Sequence, residues 1–127
     1  MPREPDEIFS RSYITLCRKQ RQLISRLITP EPGDWLFDSN GLTMVGQPPG
    51  PSPDGEIFLP RLDQLIGLLR HQAAHVIVSC YPDGYSCQVM DADDQPLANV
   101  ISKTPEEAAL RALVFVLAER AANEQAG

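Results

Sequence analysis

The ten residues QPPGPSPDGE, Gln47 to Glu56, hold four prolines and two glycines. Proline removes a backbone donor and glycine brings no side chain to bury, so neither a helix interior nor a central strand runs through such a stretch. It reads as a linker. The chain must then find its structure separately in residues 1–46 and 57–127. A proline-rich ligand for an aromatic groove is the other use of this composition, but the same pattern is common in loops. With 127 residues, 43% of them hydrophobic, there is material for one core and an added arm.

Downstream of the linker the pattern is regular. In IFLPRLDQLIGLLRHQ, Pro60 suits a first helical turn, and Leu62, Leu65, Ile66 and Leu69 recur at the spacing of one helix face. Gly67 interrupts that helix and is expected to admit a close backbone neighbour. HVIVSCYPDGYSCQVMD then reads as a hairpin turning at Tyr81-Pro82-Asp83-Gly84. Pairing Tyr81 with Tyr85 would mix polar and apolar side chains on one face. Pairing Cys80 with Tyr85 gathers Val76, Val78, Cys80, Tyr85, Cys87 and Val89, and this register is expected because it gives the cleaner buried face. A third strand, about Leu97 to Ser102, follows the acidic turn DADDQP.

The last helix, TPEEAALRALVFVLAERAA, is the best marked. Thr104 is the cap, Pro105 the first helical residue, and Glu107 completes a capping box. Leu110, Leu113, Val114, Leu117 and Ala121 form its expected buried stripe, widened by Phe115 and Val116.

Upstream, residues 5–19 read as a helix with Pro5, Asp6 and Glu7 in its first turn and an apolar face of Phe9, Tyr13, Leu16 and Cys17. A less regular continuation reaches Leu27. GDWLFDSNGLTMVG is expected to form a hairpin of strands 34–38 and 42–45, with Asn40-Gly41 supplying the positive φ angles of its turn. The fold class is therefore α+β: a three-stranded antiparallel sheet with helices on one face (α-β-β-β-α, residues 57–127), preceded by an N-terminal helix and a β-hairpin (residues 1–46).

That α-β-β-β-α run, with LPRLDQLIGLL before the strands and TPEEAALRALVFVLAE after them, resembles the ABA-sandwich type of small phage and prophage domains. PGDWLFD upstream is similar to the Trp-bearing hairpin that precedes such modules. The resemblance covers about residues 33–122 and implies an accessory protein of a phage or mobile element. It maps no catalytic residue onto this chain. The same element order also resembles double-stranded-RNA-binding domains, but those carry basic residues where this chain has Glu106 and Glu107.

The net charge is −6, unevenly spread. Residues 1–30 hold six basic and three acidic residues, net +3; the remainder holds five basic and fourteen acidic, net −9. An acidic body weighs against general phosphate binding. The expected function is therefore non-enzymatic binding of a basic protein partner, with an inhibitor of a host defence nuclease as one concrete form. Asp91, Asp93, Asp94, Glu106 and Glu107 are its candidate acidic patch, and Trp35 with Phe37 its candidate aromatic anchor. The alternative is nucleic-acid binding through Arg11, Arg18, Lys19, Arg21 and Arg26.

No metal, cofactor or active site is expected. His71 and His75 stand four apart as helical zinc ligands do, but the helix has to end before Val76, so the two diverge. Asp91, Asp93 and Asp94 begin like a calcium loop that then lacks the required Gly and Glu. Cys80 and Cys87 lie diagonally across the hairpin, too far apart for an easy disulfide. The three cysteines point to a reducing compartment. With no apolar run long enough to span a membrane and no signal-like N-terminus, a cytoplasmic location is expected.

Overall fold

The computed structural model describes residues 9–29, 31, 33–38, 41–44 and 57–126, and it divides into two compact units, Met1–Arg61 and Leu62–Gly127. The helical turn expected around Pro5, Asp6 and Glu7 and the linker at 47–56 fall outside the described residues.

The first unit contains α1 (Arg11–Lys19), α2 (Arg21–Leu27), β1 (Trp35–Asp38), β2 (Gly41–Met44) and β3 (Ile57–Leu59). Ser10 caps α1: its backbone is extended and its hydroxyl accepts the Tyr13 N–H at 3.1 Å. Tyr13, Ile14, Leu16 and Cys17 are buried, and Phe9 stacks on Tyr13 with ring centroids 5.7 Å apart. The helical run breaks at Gln20, whose φ of −100° and ψ of 20° are not helical. Its N–H still donates to Leu16 at 2.9 Å, so one residue joins the two helices.

The first sheet has the order β2-β1-β3. The hairpin is shifted by one residue from the sequence expectation. Asp38 pairs with Gly41, which leaves Ser39-Asn40 rather than Asn40-Gly41 between the strands. This register sets Trp35 against Met44 and Phe37 against Leu42, whereas a turn at Asn40-Gly41 would set Trp35 against Gly46. β3 was not expected as a strand. It pairs Leu59 with Trp35 and Ile57 with Phe37, so residues 57–61 belong to the first unit, not to the downstream domain.

Polar ties between distant residues help hold this unit. The Tyr13 hydroxyl, fully buried, donates to the Pro60 carbonyl at 2.7 Å. Asp34, also fully buried, accepts from the Arg61 guanidinium and from the Glu31 N–H, the latter at 2.8 Å. The Asp34 N–H returns to the Glu31 carbonyl at 3.0 Å, and Gly33 before it has a φ of +96°, a left-handed conformation that glycine adopts without steric cost.

The second unit runs α3 (Leu62–Gln72), β4 (His75–Tyr81), β5 (Gly84–Met90), β6 (Pro96–Ser102) and α4 (Pro105–Ala126), the expected α-β-β-β-α order. The sheet order is β4-β5-β6, and the β4–β5 register is the expected one, Cys80 opposite Tyr85 and Val78 opposite Cys87. The face that this register builds is not evenly buried. Cys87 and Val89 on the central strand are inaccessible, while Val78 is 36% exposed and Cys80 is exposed. The reason is that α4 lies over β5 and β6 and leaves β4 at the margin.

The Thr104 hydroxyl caps α4, accepting the Glu107 N–H at 3.2 Å. The buried stripe of α4 is rotated from the expected one. Ala108, Ala109, Leu110, Ala112, Leu113 and Val116 are buried, while Phe115 is 49% exposed and Ala121 is also exposed. Alanines let the helix approach the sheet closely, so the small residues face inward. Arg120 donates to the Gln72 side chain and ties α4 to the end of α3.

The close backbone neighbour expected at Gly67 is found at Gly84 instead. A Cβ on Gly67 would meet nothing within 4 Å, so no close neighbour explains it. A Cβ on Gly84 would lie 2.9 Å from the Ser102 carbonyl oxygen. Gly84→Ala should therefore lower stability by ~1–3 kcal/mol, while Gly67→Ala should raise it by ~0.5–1 kcal/mol; urea unfolding of both variants distinguishes them. Arg61→Ala removes the guanidinium from a carboxylate that stays buried, and should cost ~2–4 kcal/mol on the same measurement, with Arg61→Lys recovering part.

Candidate functional site

Among the described residues, α1 and α2 together build a surface of one sign of charge. Residues 9–29 contain Arg11, Arg18, Lys19, Arg21 and Arg26 and no acid. The inward face of α1 uses positions 13, 14, 16 and 17, and α2 buries Ile24. That phase leaves Arg11, Arg18, Lys19, Arg21 and Arg26 all exposed. The break at Gln20 brings the end of α1 and the start of α2 around one shallow concavity of about 390 Å³, lined by Arg18, Lys19, Gln20, Arg21, Gln22, Leu23 and Arg26. Cations in the last turn also offset the negative helix C-termini, which suits Arg18, Lys19 and Arg26 to their places.

The acidic candidates do not form one patch. Asp91, Asp93 and Asp94 belong to the β5–β6 turn, while Glu106 and Glu107 follow the far end of β6. A seven-residue strand separates the groups by roughly 20 Å. The aspartates also serve their own turn: one Asp91 carboxylate oxygen accepts the N–H groups of Asp93 at 2.9 Å and Gln95 at 3.0 Å. Asp94 has a φ of 60°, a conformation that aspartate tolerates better than most residues. Glu107 is 3% exposed and accepts from Arg111 at 3.3 Å, so it is part of the helix start rather than of a docking surface.

Trp35 and Phe37 are half-buried and sit opposite Leu59 and Ile57, which are 0% and 3% exposed. They stand on the core face of the first sheet. His71 lies in the last turn of α3 and His75 begins β4, both exposed; His75 Nε2 lies 3.6 Å from Asp94 Oδ1. Among the described residues no group of three or more His, Cys, Asp or Glu side chains could hold a metal ion. No helix among them is long and apolar enough to cross a membrane.

All three cysteines are free thiols, and only Cys80 is exposed. Burial pushes the Cys17 thiol up to about 12, against a smaller opposing effect of its hydrogen bond with Tyr13, and pushes Cys87 up to about 11. A thiolate, not a thiol, is the nucleophile, so neither is primed for chemistry. In the unfolded chain these thiols ionise near the ordinary value of 9.0. The unfolded state thus sheds protons that the folded state keeps. Their contribution to stability is complete below pH 9.0 and is lost as pH climbs through the raised values. A thiol-reactive dye should label Cys80 quickly in the native protein, and Cys17 and Cys87 only on unfolding. Urea midpoints should fall as pH is raised above 9.0, less steeply in Cys17→Ala.

Compared with known proteins, the chain matches no family model, no curated protein and no solved structure.

Proposed function

We propose that this chain is a non-enzymatic binding protein whose contact surface is the basic helix pair α1–α2, and that its partner is the phosphate backbone of a nucleic acid. The observation that carries the reading is the gathering of Arg18, Lys19, Arg21 and Arg26 around one concavity in a stretch that contains no acid. Three of the four are arginines, whose planar guanidinium matches phosphate oxygens two at a time. Gln20 and Gln22 between them add neutral donors of the kind that fix register on a backbone.

The total charge of −6 had weighed against nucleic acid. Charge acts locally, because exposed charges are screened beyond about 8–10 Å at ordinary salt. A basic concavity can therefore hold a polyanion while acids elsewhere are screened, and the acids among the described residues are scattered. The setting implied by the resemblance to phage domains, an accessory factor of a mobile element, is compatible with this partner.

Fluorescence anisotropy with short single- and double-stranded oligonucleotides tests the reading. With four phosphate contacts, log K should fall with log salt at a slope of about −3 to −3.6. That is a loss of roughly 60- to 150-fold between 50 and 200 mM. Arg18→Ala with Arg21→Ala should flatten the slope by about 2. Absence of binding at low salt would sink the nucleic-acid reading and turn attention to an acidic protein surface as the ligand.

A further inference from the structure

The second unit carries an independent feature. β4 ends its sheet, since the order is β4-β5-β6. An edge strand presents unpaired N–H and C=O groups, and proteins normally guard it with charge, proline or a bulge. The other edge, β6, is guarded: it begins with Pro96, and its pairing with β5 is irregular at Val89/Met90. β4 has none of these devices. His75–Tyr81 reads HVIVSCY, without Asp, Glu, Lys, Arg or Pro, and pairs with β5 through all seven residues without interruption.

Its side chains are exposed on both faces. Ile77, Val78 and Tyr81 are 43%, 36% and 49% exposed, and they alternate between the helix-covered face and the open one. A ligand that covered one face only would leave the other wet. A further strand at this edge flanks both.

We propose that the ligand of this edge is β4 of a second copy, joined antiparallel about a two-fold axis at Val78 to give one six-stranded sheet. Antiparallel self-pairing there sets Val78 against Val78, Val76 against Cys80 and Ile77 against Ser79 of the second copy. The stripe Val76-Val78-Cys80 then continues across the axis. The ends complement each other as well. Arg70 and His71, in the last turn of α3, precede the strand, and Asp83, in the turn, follows it. Pairing about Val78 brings Asp83 of the second copy to the level of position 73, next to Arg70 and His71, and symmetry makes this contact twice. The β5–β6 turn at that end also carries Asp91, Asp93 and Asp94, of which Asp91 accepts N–H groups of its own turn and Asp94 lies 3.6 Å from His75 of its own copy. A neutral strand is also where two copies of net charge −6 approach with least repulsion.

Sedimentation analysis of the full chain from about 1 to about 100 µM reads the outcome. The expected result is a mass that doubles with concentration. Val78→Lys places two cations on the axis and should weaken the dimer at least about tenfold. Ile101→Lys, at a residue 74% exposed on β6, should leave it intact. A second variant does not depend on disruption. Directly opposed residues in an antiparallel pair have Cα atoms ~4.5–5.5 Å apart, within disulfide range. Val78→Cys combined with Cys80→Ser should therefore form an intermolecular disulfide when oxidised glutathione takes up the two electrons. A monomer at the highest concentration, a dimer sensitive to Ile101→Lys but not Val78→Lys, or failure of Val78→Cys to cross-link would each overturn the proposal. The first of these would leave β4 as a surface for a strand from another protein.

Discussion

The buried Asp34 carboxylate is the constraint on which the first unit is organised. A carboxylate at 0% exposure is unfavourable by several kcal/mol unless its oxygens are satisfied. Here they are met by the Arg61 guanidinium and the Glu31 N–H. The first partner comes from the residue just after β3 and Pro60, the second from the turn just before β1. Asp34 therefore fixes where the sheet begins and what closes it. The Tyr13 hydroxyl bonds the Pro60 carbonyl next to Arg61, so α1 is tied at the same place. Only with α1 seated in this way do its cations have a defined outward face.

Edges and centres divide the second unit. The central strand β5 carries the fully buried Cys87 and Val89, and α4 covers β5 and β6 with a run of alanines. β4 has the same alternating pattern in sequence, yet its inward residues stay partly exposed. Position in the sheet, not residue type, decides burial here. The consequence is that the neutral, apolar strand of an acidic chain is also an unguarded sheet edge.

The proposed function turns on where charge is gathered. Along the sequence, Asp91, Asp93, Asp94, Glu106 and Glu107 are close enough to be expected on one surface. They are separated by the length of β6, and Glu107 is spent on its own helix start. The basic residues meet because a helix break at Gln20 folds two short segments around one concavity. Neither outcome depends on net charge.

Much of the architecture was legible in the sequence because it is written in local terms. The Thr104-Pro105 cap, the α3 stripe through Leu65 and Leu69, and the Cys80–Tyr85 register each follow from spacing over a few residues. What tertiary structure alone decided involves partners far apart in the chain. Asp34 finds Arg61 across 27 residues and Tyr13 finds Pro60 across 47, with no local pattern to announce either. Ile57–Leu59 became a strand because β1 offered an open edge, and that moved the unit boundary to Arg61. The candidate site divides in the same way. Its cations were visible as residue types, but their convergence had to wait for the buried face of α1 to choose its direction.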